Sequence, residues 1–314
     1  MIKKPVVNST DRKERLKAAA KDRIYRFLMG GGSVRGAMIR AGWMIRQMRT
    51  NHELGLLETL ALGHAYMAAA LVSAEGKAVH RSVLQMNCTG PIQGLQVEAT
   101  ANGQVRGFLK TSGIALDQPP GSFDLAPFFG GGTLSVTRYL KDGRWPFTGT
   151  VAMRFGTVAK DLAHYYRISE QTPAAFHLSI QFDPDGEVAG AGGLFVQTLP
   201  GTDTETTVRL ESLVEALPSL GKVFAGSGDP ETLIHDWFGT LSPKILDRRR
   251  AEFVCHCSKT RTRNLLTMLP AGELEEIAQN GPFPLEMKCH NCGTRYHFTR
   301  EELRRIRKRR FSRN

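Results

Sequence analysis

Four of the five cysteines of this 314-residue chain fall in two tight pairs: Cys255-His256-Cys257 in FVCHCSKT, and Cys289-His290-Asn291-Cys292 in MKCHNCGTRYHF. Thirty-one residues separate the pairs. Sulfurs at this spacing suit two chemistries. Zn²⁺ takes a closed tetrahedral shell, and four thiolates in two local pairs let a short segment wrap one ion. Metal-bound sulfurs also remain oxidisable, because a thiolate converted to a sulfenic acid condenses with a neighbouring sulfur to a disulfide. Such oxidation would withdraw ligands and, with them, the binding free energy that folds a small zinc domain. A static zinc fold needs only the common two-residue spacer, whereas Cys-x-Cys is a tighter pair suited to a switch; both readings stay open at this point. A thioredoxin-type dithiol would sit at a helix start in a βαβ unit, but Gly293 and a strand-like run follow instead, and haem attachment would need His at 293. His256 and His290 read as solvated spacers that, with Lys259, Arg261, Arg263 and Lys288, moderate the negative charge of the tetrathiolate. Cys88, alone in QMNCTGPI, reads as an inert small residue.

Elements must bring the pairs together. The stretch SKTRTRNLLTMLPAGELEEIAQNGPFPLEMK predicts helix, turn, helix and strand; Gly293 turns the chain, TRYHF returns as a strand, and Thr299 with Glu302 forms a capping box for a last helix. A zinc-binding redox-switch domain with a basic tail over 251–314 follows. Residues 203–250 predict two short amphipathic helices, TTVRLESLVEAL and PETLIHDWF, the second capped by Asp229 with Pro230 in its first turn. Helices this short depend on packing an apolar face against something else. Leu210, Leu213, Val214 and Leu217 form one such face, and Leu233, Ile234, Trp237 and Phe238 the other, so 203–250 reads as a metastable helical linker or as an ordinary helical extension of the core. Residues 1–202 read as an α+β core domain with a basic N-terminal extension. Within it, 11–29 and 35–75 read as helical, 78–155 as short strands, 157–171 as helix, and FHLSIQF and AGGLFVQTL as two strands about the Asp183–Gly186 turn.

With 41% hydrophobic residues the chain can bury a sizeable core. It has no run of 18 apolar residues and no apolar N-terminal stretch, so a soluble, cytoplasmic protein with no membrane partner is expected. In a reducing compartment, clustered cysteines point to metal or redox chemistry rather than structural disulfides. The net charge of +12 lies entirely in the tails: residues 1–26 hold nine Lys/Arg against three Asp/Glu, residues 300–314 hold eight against two, and the remainder carries 25 of each. Solvated tails are one reading. A zinc-containing nucleic-acid or ribosome-binding protein using RRIRKRR is the other, and it predicts steep salt dependence. No catalytic residues are expected. Gly31-(x)4-Gly36 has P-loop spacing, but Ala37 and Met38 replace the required Lys and Ser/Thr; Gly190-Ala191-Gly192 lacks the third glycine of a dinucleotide fingerprint, with Phe195 in its place. Four thiolates also leave no open coordination position for catalysis.

CHCS(x)30CHNCG closely resembles the zinc centre of the redox-regulated heat-shock holdase family, the thirty-three-kilodalton chaperonins. RFLMGGGSVRG, GPIQGLQVEATANGQVRGFL, HYYRISEQTPA and AGGLFVQTLPG resemble that family's recurring segments in the same order, leaving only about the first twenty residues and the basic C-terminal tail as additions. The resemblance implies an ATP-independent chaperone, inactive when reduced and holding one Zn²⁺ per chain through Cys255, Cys257, Cys289 and Cys292. It further implies disulfides Cys255–Cys257 and Cys289–Cys292 on oxidation, unfolding of the adjoining linker, capture of unfolding client proteins, and homodimers in the oxidised state.

Overall fold

Tyr25, Phe27 and Met29 are buried while Arg26 and Leu28 between them are only partly so. That period of two belongs to a strand, and the helical reading of this region is corrected: residues 23–29 form β1 (Arg23–Met29) and 34–40 form β2 (Val34–Arg40), an antiparallel hairpin. Gly30, Gly31 and Gly32, all at positive φ, close it, a turn that side chains strain to adopt; of the P-loop-like pair, Gly31 serves this turn and Gly36 lies in β2, where a Cβ would meet the Phe27 ring at 2.3 Å. The predicted helix resumes only at α1 (Gly42–His52) and α2 (Leu56–Ser73).

The computed structural model describes residues 22–75, 79–114, 124–141, 143 and 145–311, with side chains through Lys308; residues 11–21 of the predicted first helix lie outside these. The chain divides into two compact units, one ending at Val254 and one beginning at Cys255. The first continues with β3 (Val79–Cys88), β4 (Gly94–Thr100), β5 (Gln104–Leu109), α3 (Ala126–Phe129), β6 (Gly132–Leu140), β7 (Phe147–Ala152), α4 (Val158–Ile168), β8 (Ala174–Phe182) and β9 (Val188–Thr198). Then come α5 (Thr204–Glu215), α6 (Leu220–Ala225), α7 (Pro230–Phe238), β10 (Lys244–Arg250) and β11 (Glu252–Phe253).

Two sheets organise this unit: an antiparallel one in the order β10-β1-β2-β9-β8, and a second ordered β11-β5-β4-β3-β6-β7, in which only the β11/β5 pair is parallel. Helix α2 packs on strands of both. It is long and apolar enough to cross a membrane by length and composition, but 89% of it is buried within the protein, the signature of a core helix.

Helices α5, α6 and α7 cover the other face of the first sheet. Asp203, Ser219 and Asp229 cap them, each accepting a backbone N–H three residues on. The middle helix was not expected from the sequence. Gly190 and Gly192 of β9 admit it: a Cβ on Gly190 would lie 2.3 Å from the Gly221 carbonyl oxygen, and one on Gly192 2.4 Å from the Phe224 ring. These glycines therefore permit close helix-on-sheet packing. Nor is 203–250 wholly helical. Lys244–Arg250 adds an edge strand to β1, where Arg26 meets Asp247 at 2.6 Å. Its charged sequence hid it, as charged side chains commonly protect sheet edges.

The second unit holds α8 (Lys259–Met268), α9 (Ala271–Asn280), the hairpin β12 (Leu285–Lys288) and β13 (Arg295–Phe298), and α10 (Arg300–Phe311). Leu266, Leu274, Ala278, Phe298, Leu303 and Ile306 form its core. The capping box is present: Thr299 N–H donates to Glu302 at 3.0 Å and Glu302 N–H to Thr299 Oγ1 at 3.2 Å.

Candidate metal centre

The two cysteine pairs reach one point through different local devices. Cys255 and Cys257 lie on the extended chain before α8, which Ser258 caps by accepting Arg261 N–H through its side chain. Cys289 and Cys292 sit in the turn between β12 and β13. There the N–H of Gly293 donates to the Cys289 carbonyl at 2.8 Å, the N–H of Cys289 donates to the Thr294 carbonyl at 2.8 Å, and Gly293 takes a φ of 66°.

The four Sγ atoms lie within 4.8 Å of one another. Cys255–Cys289 are 3.8 Å apart and Cys257–Cys292 3.3 Å, and no disulfide joins any of the four. A Zn–S length of about 2.3 Å sets tetrahedral edges of ~3.8 Å, so the spacing fits one ion, and sulfur-only donors fit a soft or borderline metal rather than Mg²⁺ or Ca²⁺. The nearest contacts join opposite pairs, as corners of one tetrahedron do.

Crowding makes the sulfurs unequal. Hydrogen bonds from the Cys255 and Cys289 thiols hold Cys292 far below the usual thiol range, while hydrogen bonds to Cys255 and Cys292 push Cys289 far above it. Loading all four sites with thiolates therefore requires a compensating positive charge. Two hydroxyls approach the sulfurs: Tyr296 Oη donates to Cys257 Sγ at 3.1 Å, and Thr294 Oγ1 lies 3.2 Å from Cys292 Sγ. Sequence reasoning treated TRYHF only as a strand and missed both. The available signal was their position two and four residues after Cys292.

His256 and His290 are exposed and outside the sulfur cluster, consistent with spacers. Lys259 pairs with Glu302 at 2.7 Å and Arg261 donates to the His256 carbonyl at 2.6 Å, so these cations serve the local fold. Cys88 is half-buried, and desolvation pushes its thiol up, away from reactivity.

The sequence-derived apolar faces lie in the first unit. Leu210, Val214, Ile234 and Phe238 are buried in one cluster with Tyr25, Phe27, Met29, Val34, Met38, Leu194 and Val196 of the sheet. Leu217, Leu233 and Trp237 pack against this cluster partly buried, and Leu213 is half-buried.

Residues 22–299 match the family described as "Hsp33 protein". The chain belongs to that family. Its relatives include a 33 kDa chaperonin from Desulforamulus reducens, 33% identical over 289 residues that cover 92% of this chain and 98% of the relative. A 33 kDa chaperonin from Thermotoga maritima is 32% identical over 285 residues, covering 90% and 96%. The crystal structure of the Thermotoga maritima 33 kDa chaperonin aligns with a TM-score of 0.83 at 31% identity, over 93% of this chain and 99% of that one. The Hsp33 family is one of chaperones, and a sulfur cluster able to hold a metal accompanies that membership here.

Proposed function

We propose that this Hsp33-family chain is a redox-regulated, ATP-independent holdase of the cytoplasm that captures unfolding proteins once its cysteines are oxidised. The observation carrying the reading is the meeting of four sulfurs at tetrahedral spacing in a unit with few other buried side chains. Cys255, Cys257, Cys289 and Cys292 would hold one Zn²⁺; when bound, the ion supplies the charge that keeps four thiolates together and the free energy that keeps a small domain folded. Peroxide oxidation joins Cys255 to Cys257 and Cys289 to Cys292. Four donors are lost, and the 251–314 domain loses its main source of stability.

Residues 203–250 act in this reading as the metastable linker to the 1–202 core domain. Their helices cover one face of one sheet, so their release uncovers two apolar surfaces: their own faces, and the sheet face of Tyr25, Phe27, Met29, Val34, Met38, Leu194 and Val196. Contiguous apolar area of this kind is what an unfolded client binds. The oxidised chain pairs into a homodimer, which analytical ultracentrifugation before and after peroxide treatment checks.

The deciding experiment is light scattering from a thermally unfolding test protein, with this chain reduced and zinc-loaded or peroxide-oxidised at mildly raised temperature. Suppression by the oxidised form only is expected. Equal suppression in both states would leave a chaperone with a static metal site. No suppression in either state, together with RNA binding that falls steeply with salt, would return the basic tails to the centre of the function. Replacing Leu213 and Leu217 by Asp is expected to give client binding without oxidation, and an unchanged oxidation requirement would count against masking.

A further inference from the structure

Residues 300–314 carry eight Lys/Arg against two Glu, and the match to the family ends at residue 299, so membership does not account for this charge. The structure sorts the charges of α10 by partner. Glu301 pairs with Arg305 at 3.8 Å, Glu302 with Lys259 at 2.7 Å, and Glu275 of α9 with Arg307 at 2.8 Å. Arg300 and Arg304 meet no carboxylate among the described residues. Arg300 donates instead to the Gln279 carbonyl at 2.9 Å, and its guanidinium lies 5.1 Å from the centre of the Phe283 ring. Both arginines are exposed, and the ring is 39% exposed beside them. Residues 300 and 304 stand one turn apart on the same side of the helix, about 6 Å along its axis, and Lys308 continues the stripe. The apolar side chains of α10 are used elsewhere. Leu303 and Ile306 are buried in the core of this unit, so they offer no apolar face for insertion into a bilayer.

We propose that Arg300, Arg304 and Phe283 form a surface for single-stranded nucleic acid, the arginines taking phosphates and the ring taking the face of a base. A guanidinium stays charged at any physiological pH and forks onto phosphate oxygens through paired hydrogen bonds. An aromatic ring stacks on any base, and a neighbouring arginine adds a cation–π contribution. Recognition therefore follows backbone charge and unstacked bases rather than sequence. RNA and DNA strands share both features, whereas a duplex hides its base faces from Phe283. Glu273 and Glu276 on α9 are exposed and repel a polyanion, which confines the contact to the α10 stripe. This surface is a second activity beside the holdase reading. It uses no sulfur and is expected in the reduced chain.

The test is fluorescence anisotropy of the full reduced chain, kept in zinc, with end-labelled single-stranded RNA and DNA of mixed sequence and with the same sequence as a DNA duplex, each across a salt series. Co-sedimentation with vesicles of anionic phospholipid runs in parallel. Both single strands are expected to bind more tightly than the duplex, with log K falling linearly against log salt. Arg304→Ala is expected to lower the single-strand slope by about 0.7, the value for one phosphate contact, and Arg304→Lys to keep it. Arg300→Ala should lower the slope by the same amount. Phe283→Leu should weaken single-strand binding about fivefold or more at every salt concentration with the slope unchanged, as loss of one stacked base does, and should leave the duplex unaffected. Glu273→Gln combined with Glu276→Gln should tighten binding of every polyanion. Wild-type affinity and slope in the Arg300, Arg304 and Phe283 variants, with circular dichroism retained, would assign any binding to residues 1–26 and overturn the surface. Equal affinity for duplex and single strand, or vesicle binding as tight as RNA binding, would overturn it too. Each of these outcomes leaves oxidative activation, read by light scattering, where it stood.

Discussion

The core around Leu56–Ser73 and the unit beginning at Cys255 are stabilised in opposite ways. The helix α2 buries every residue from Leu57 to Ser73 except His64, enclosed by strands of two sheets. The later unit buries six apolar side chains in its core and gathers four sulfurs beside them. Few residues are available there to offset conformational entropy, so on the proposed reading metal coordination would supply most of its stability. Helices α5–α7 stand between these extremes, with a genuine apolar interface on one side only. On the proposed reading, chemistry at the sulfurs would act on the unit with the smaller apolar core, while helices α5–α7 cover the sheet face of Tyr25, Phe27 and Met29.

The sharpest break of that contrast is metal removal. Structural zinc contributes about 10–16 kcal/mol to the folding of small zinc peptides, more than a six-residue core can replace. Chelation, or Cys292→Ser, is expected to abolish amide-exchange protection across 259–306 while α2 keeps its own. Mass-spectrometric hydrogen exchange reads both at once. Persistent protection around Leu266 and Phe298 without metal would show that the apolar core suffices, and the comparison would fall.

How far these regions could be read from residues alone also divides along this line. In the sulfur-held unit, spacing, turn glycine and capping box are local signals, and helix, turn, helix, strand, turn and strand were all legible. Across β1 and β2 they were not. The apolar residues of 23–40 fit either period over so short a stretch, and the deciding fact, burial between α7 and a sheet partner 150 residues on, is non-local. β10 was hidden because an edge strand tolerates charge, and α6 because its docking depends on glycines in a strand distant in sequence. At the site the four sulfurs were legible from type and spacing. Thr294 and Tyr296 were not, since their contacts with sulfur exist only once the hairpin of β12 and β13 is formed.

Within the first unit, Phe238→Ala should separate the covering helices from the core. Phe238 is fully buried, with its ring 5.9 Å from Phe27, and truncating such a side chain costs about 3–5 kcal/mol. If 204–238 opens independently, exchange there rises well before exchange in α2, and aggregation suppression without oxidant increases. Equal loss of protection in both regions, with oxidant still required, would make the helices part of the same cooperative core.

The smallest effect asks whether that independence reaches a single hydrogen bond. Asp229 caps α7 by accepting Thr232 N–H at 3.1 Å, and Thr157 caps α4 by accepting Lys160 N–H at 3.3 Å. Removing either cap by substitution with Ala costs about 1 kcal/mol. The two helices differ in what happens next. α4 is anchored by Val158, Leu162, Tyr165 and Tyr166, all fully buried, and by Asp161, which accepts the backbone N–H groups of Arg154, Phe155 and Thr157. Loss of the Thr157 cap should therefore lower global stability without a separate local opening. α7 presses Ile234 and Phe238 onto one sheet and ends against the 3₁₀ turn Gly239–Leu241, so loss of the Asp229 cap should raise exchange in 230–238 by about fivefold, the equivalent of 1 kcal/mol, with α4 unchanged. Matching local increases in both helices would mean that one-sided packing confers no special lability, and would remove intrinsic weakness as the basis for the proposed release of residues 203–250 on oxidation.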